Sequence, residues 1–213
     1  MKILARQLSA LILLLFLLSC NSKEKEKEPA GRNEPTKDTL HPITPETVNA
    51  YATVDISPMD MSYYPDDYPK LKMDSNSIGV PVMRVIYGRP HLQGRKLFND
   101  ILNYGERWRL GANEATEIQF YRKVIIQNKQ VEAGRYILYC IPEQDKWGIV
   151  LNSNIDSWGL TQDTTKDLQR FEIPVTHHNP LLQYLTLVFE KTNSGANLIM
   201  GWDEELAKLP ISF

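Results

Sequence analysis

Residues 87–116, YGRPHLQGRKLFNDILNYGERWRLGANEAT, gather four arginines, a histidine, a tryptophan and an adjacent Asn-Glu pair in one short stretch. Arg89, Arg95 and Arg109 offer planar, permanently charged forks that hold a carboxylate or phosphate at two points, and Asn113 and Glu114 add an amide and an acceptor. If these side chains converge, they suit a small anionic or polyhydroxylated ligand with a ring stacked on Trp108 or His91. A second chemistry is open to the same stretch, with Glu114 and His91 as the acid and base of a hydrolase or isomerase. The third reading is purely structural. Arg109 and Glu114, flanking a glycine turn, could neutralise each other beneath a loop, and Arg89 could bond exposed strand carbonyls.

Other reactive residues offer less. Cys140 falls within an alternating strand pattern and reads as a small core residue, and no Gly-x-Ser-x-Gly elbow supports nucleophilic catalysis. His177 and His178 are neighbours, so on a strand they point to opposite faces and cannot share an ion. Asp60, Asp66 and Asp67 lack the regular spacing of a calcium loop. No metal and no cofactor is expected.

Such side chains need elements to position them. From Ser77 onward the apolar period is near two: Val82, Arg84 and Ile86 alternate with Met83, Val85 and Tyr87, and Tyr136, Leu138 and Cys140 with Ile137, Tyr139 and Ile141. Further strands are expected over 117–122, 124–127, 130–132, 147–152, 169–175, 183–190 and 196–202. Turn-forming pieces such as QNKQ, PEQDK, THHNP and TNSG separate them. Only NDILNYGERW and DEELAK offer a helical turn or two. MSYYPDDYP reads as an extended flap over the edge of the fold, since Pro65 and Pro69 disfavour a central strand. Many short strands with tight connections predict an all-β, mostly antiparallel β-sandwich, jelly-roll or immunoglobulin-like.

The start of the chain concerns place rather than chemistry. A short basic region precedes the apolar run LSALILLLFLLS, which ends at Cys20: an export signal too short for a comfortable membrane span. Leu17-Leu18-Ser19-Cys20 resembles a bacterial lipobox, so residues 1–20 are expected to be a lipoprotein signal peptide with Cys20 acylated after cleavage. Residues 21–48, which alternate lysine with glutamate and then collect prolines, read as a charged tether without apolar side chains to bury. Residues 49–213 are then left for one domain with a single core. The formal charge of −2 becomes −4 once Lys2 and Arg6 leave with the signal, which argues against nucleic acid as a partner. With Cys20 lipidated, Cys140 has no partner for an internal disulfide.

The order of uncommon residues in the opening stretch resembles the bacterial domain of unknown function 2911 family. Its members carry Tyr-x-Arg-Pro, then Gly-Arg-x-hydrophobic-Phe, then Tyr-Gly-x-x-Trp-Arg-x-Gly-Ala-Asn-Glu-Ala-Thr. Here these fall on Tyr87, Arg89, Pro90, Gly94, Arg95, Leu97, Phe98, Tyr104, Gly105 and Trp108 to Thr116. The resemblance continues through AGRYILYCIPEQDKWGIVLN and more weakly through LIMGWDEELAKLPI. Gly88 stands where a small hydroxyl residue is common, and Asn99 replaces a glycine. The resemblance implies no activity.

Taken together, the sequence predicts a cell-envelope module tethered to membrane by its N-terminal lipid, preferably the outer membrane. It is expected to bind a small molecule, glycan or protein through Arg89, His91, Arg95, Trp108, Arg109, Asn113 and Glu114, the hydrolase or isomerase being the alternative.

Overall fold

A computed structural model describes residues 57–75 and 77–213. The signal peptide, Cys20, the tether and the start of the domain at residue 49 lie outside the described residues. Among the described residues nine strands form one antiparallel sheet in the order β1-β2-β3-β6-β7-β8-β9-β4-β5. They are β1 (Met59–Tyr64), β2 (Met83–Gly88), β3 (Glu117–Phe120), β4 (Val124–Ile126), β5 (Lys129–Val131), β6 (Gly134–Pro142), β7 (Lys146–Asn152), β8 (Asp167–Thr192) and β9 (Gly195–Ser212). Period-two patterning explains which face is inside. Met83, Val85 and Tyr87 of β2, Ile118 and Phe120 of β3, Trp147, Ile149 and Leu151 of β7, and Leu185, Leu187 and Phe189 of β8 enter one apolar cluster, while Arg84, Glu117 and Gln119 face out.

The sheet folds over itself because β8 and β9 bend. Their pairing runs Val175↔Ala207 to His177↔Glu205, slips to Leu182↔Asp203, and slips again to Thr186↔Gly201. β8 thus inserts extra residues at a corner, and Asp203 adopts φ +57 opposite it. The inward phase of β9 changes there, from Leu198, Met200 and Trp202 to Ala207, Leu209 and Ile211. The bend brings the distal half of the hairpin against β1 and β2: Ser62 donates to the Leu187 carbonyl at 2.6 Å, and the Leu187 N–H donates to the Tyr87 hydroxyl at 3.2 Å.

Two sequence expectations are corrected. THHNP is not a turn between strands but the corner of one continuous strand, and DEELAK is not a helical turn but part of β9. MSYYPDDYP supplies edge strand β1 and the start of a short helix, α1 (Tyr68–Asp74), whose side chains are not buried in the core.

Candidate functional site

Residues 89–116 close one end of the sandwich by crossing it twice. Leaving β2, the chain runs along the distal half of β8: Leu185 N–H donates to the Pro90 carbonyl at 3.0 Å, and Leu92 N–H to that of Gln183 at 2.8 Å. After a turn at Gln93 and Gly94 (φ +54 and +76), the Leu97 N–H is held by an Asp203 carboxylate oxygen at 2.9 Å. Asn99 takes φ +83, the left-handed region that glycine occupies without cost. The chain next crosses to β6, where Trp108 and Cys140 exchange two backbone hydrogen bonds of 2.8 Å. It then returns to β2 as Ala112 N–H donates to the Gly88 carbonyl at 3.2 Å. Leu92, Leu97, Phe98, Trp108 and Leu110 point down into the core. The polar chemistry is therefore the outer surface of an apolar plug.

On that surface is a cleft of about 400 Å³ lined by Arg95, Arg107 and Arg109 together with Asn103, Glu106 and Leu160. Trp108 lies beneath them, 7 % exposed, with its ring stacked on Trp202 (centroids 5.8 Å apart, planes 22° apart) and its indole N–H donated to Gly111. Because residues 107–109 are extended along β6, the two arginines flanking Trp108 share its outer side. Arg95 is held by the carbonyls of Leu92 (3.0 Å) and His91 (3.3 Å).

Arg109 stands apart. Its Nη1 is buried without a hydrogen-bond partner in the protein, burial pulls its pKa below the usual arginine value, and no carboxylate among the described residues pairs with it. The proposed neutralisation by Glu114 is absent. Glu114 lines a different cleft, on the outer face of β2 and β3, together with Arg84, Arg135 and Trp158.

The remaining sequence candidates are placed separately. Arg89 lies 3.5 Å from Asp60 and 4.9 Å over the Tyr184 ring. His91 packs edge-on against Tyr184, and its Nδ1 accepts the Gln93 N–H at 2.8 Å. Asn113 donates to the Ser57 carbonyl at 2.9 Å. The structure thus brings Arg95, Trp108 and Arg109 together and leaves Arg89, His91, Asn113 and Glu114 outside that cleft. His91 and Glu114 do not share a cleft as an acid and base pair would. Arg107 and Glu106 escaped the sequence reading. The signal for Arg107 was its place two residues before Arg109, which puts both on one side of any extended segment. Cys140 is fully buried, and desolvation raises its thiol well above the ordinary range, so it offers no thiolate at neutral pH.

The two clefts share a wall. The loop after β7 places Leu160 in the first and Trp158 in the second, and Gly159 between them takes φ +79. A Cβ at Gly159 would lie 2.8 Å from the Ala115 Cβ and 3.1 Å from that of Arg109, so the wall is seated directly on the signature segment.

A model of the family described as protein of unknown function (DUF2911) matches residues 69–211, from within α1 almost to the end of β9. No curated protein and no solved structure matches the chain.

Proposed function

We propose that this chain, which belongs to the DUF2911 family, is a non-enzymatic module that binds a small organic anion in the cleft of Arg95, Arg107 and Arg109. The observation that carries this reading is Arg109, a half-buried guanidinium whose buried Nη1 has no hydrogen-bond partner and which pairs with no carboxylate among the described residues. A buried donor left without a partner is costly, and a bound carboxylate or phosphate would supply one. Among the described residues three arginines face a single carboxylate, Glu106, so the cleft favours an anion, while Ile101, Leu102 and Leu160 leave room for an apolar body. The enzyme alternative has less support, because Glu114 and His91 line different surfaces and burial keeps the Cys140 thiol protonated.

The test compares wild type with Arg109→Met in a thermal-shift screen of phosphate, sugar phosphates and di- and tricarboxylates. A ligand at a hundredfold excess over Kd stabilises by about 2.7 kcal/mol, which is several degrees for a domain of this size. The variant is expected to melt no lower than wild type without ligand, since it loses an unsatisfied buried group rather than a bonded one, and to show no ligand shift. A ligand shift that survives the substitution refutes the reading. So does a loss of about 3 kcal/mol in the unliganded variant, which would mark Arg109 as a structural ion.

The module is further proposed to be held at the cell envelope by acylation of Cys20, on the strength of the Leu-Leu-Ser-Cys end of its signal. Metabolic labelling with a fatty acid should mark wild type and leave Cys20→Ala unlabelled in the soluble fraction. Equal labelling of the two, or an unlabelled wild type, excludes the anchor.

A further inference from the structure

The outer face of β2, β3 and β6 carries two cross-strand rows. Arg84, Gln119 and Arg135 are successive register partners, and Ile86, Glu117 and Ile137 form the row beside them. The polar groups are fixed by one another. Arg84 Nε donates to Gln119 Oε1 at 2.9 Å, and Arg135 grips Glu117 through Nε (3.0 Å) and Nη2 (2.6 Å) while reaching Asp156 at 3.0 Å. Trp158 rises beside these rows from the loop after β7. It is 56 % exposed, whereas the other three tryptophans are buried in the core. Together they bound a cleft of about 600 Å³.

We infer that this second cleft binds a neutral oligosaccharide. A sugar ring presents an apolar C–H face and a rim of hydroxyls that both donate and accept. An exposed indole lining the same cleft as fixed amide, guanidinium and carboxylate groups matches both parts. Charge separates this cleft from the first. Here two arginines face three carboxylates, Glu114, Glu117 and Asp156, so an anionic ligand is repelled. Trp158 contributes nothing to the core cluster, so a large apolar side chain is held in water at a concave surface without a packing role. Floor residues locked in cross-strand pairs lose little side-chain freedom on binding, which suits a ligand whose individual contacts are weak.

The test uses the purified full-length protein and three neutral probes, cellohexaose, chitohexaose and mannohexaose, with an oligogalacturonate as the charged comparison. Titration calorimetry and tryptophan emission are read in parallel. Because Trp158 is the exposed indole, stacking should shift the emission in a saturable way. Wild type is expected to bind at least one neutral probe, Trp158→Ala to bind it about tenfold more weakly or worse, and Gln119→Ala to weaken it through the floor. Saturating phosphate should not displace the neutral probe, which separates this site from the anion cleft. Trp158→Ala should melt with wild type, as an exposed side chain outside the core. The inference is overturned if no neutral probe binds, if Trp158→Ala and Gln119→Ala bind as wild type does, or if the oligogalacturonate binds as well as the neutral probes.

Discussion

Gly88→Ala is expected to cost about 3 kcal/mol and to lower the melting temperature by about 10 °C. An ideal Cβ at Gly88 would lie 1.9 Å from the carbonyl oxygen of Ala112 and 2.7 Å from its carbonyl carbon. Both are backbone atoms, so no change of rotamer relieves the overlap. Relief requires the returning strap to lift off β2, and the Ala112–Gly88 hydrogen bond would be lost with it. Gly111, Arg109 and the roof over Trp108 belong to the same strap, so the variant should also lose the anion cleft. Gly94 is the control. Its φ is +76 but nothing lies within 4 Å of its Cβ position, so alanine there meets only the backbone preference, about 1–2 kcal/mol. If Gly88→Ala melts within about 2 °C of wild type, the close approach of Ala112 to β2 is wrong.

Stability should fall steeply between pH 10 and 12. Tyr87 and Tyr139 are each pushed from 10.0 to about 12, first by burial, and in both cases a nearby carboxylate further disfavours the phenolate. Tyr87 donates to Asp60 at 3.2 Å and Tyr139 to Asp167 at 2.8 Å. The raised pKa means that the folded state keeps protons the unfolded chain releases. The stabilisation is therefore complete below pH 10, declines as the unfolded tyrosines ionise, and is exhausted above pH 12. A displacement of this size corresponds to about 2.7 kcal/mol for a fully shielded group. Allowing for water around the exposed Asp167, the combined loss is about 4 kcal/mol. Urea midpoints across this range, read with tyrosinate absorbance, check it. Tyr139→Phe should flatten the decline, and two of the ten tyrosines should ionise only as the protein unfolds. Free ionisation of all ten in the folded protein would contradict the placement of both rings.

The strands were legible because side-chain alternation is local, and β2, β3, β6 and β7 fall where period two puts them. The corner at THHNP was not. A bulged bend and a hairpin turn draw on the same polar and proline-rich residues, and only the register across to β9 tells them apart. DEELAK contains good helix formers, yet the alternation of Ala207, Leu209 and Ile211 just beyond it outweighs that local preference, because these residues close the core. The short α1 carries no buried side chain and left no periodic trace.

Within the signature, residue types revealed a concentration of polar chemistry but not its division. Arg95 and Arg109 line one cleft, and Glu114 departs, because the strap crosses from β8 to β6 and then to β2. Those crossings depend on partners such as Gln183 and Cys140 that lie far along the chain.

If both clefts take ligands, the common boundary at Gly159 is where a thermodynamic relation between them would arise. The glycine backbone is wedged against Ala115 and Arg109, with Leu160 on one side and Trp158 on the other, so a displacement of the loop in either cleft is a displacement in both. If an occupant of one cleft changes the affinity of the other by some factor, the second occupant must change the first by the same factor, whichever arrives earlier. A rigid wall makes that factor unity, and a wall with two seats makes the domain a device that reads one molecule in terms of another.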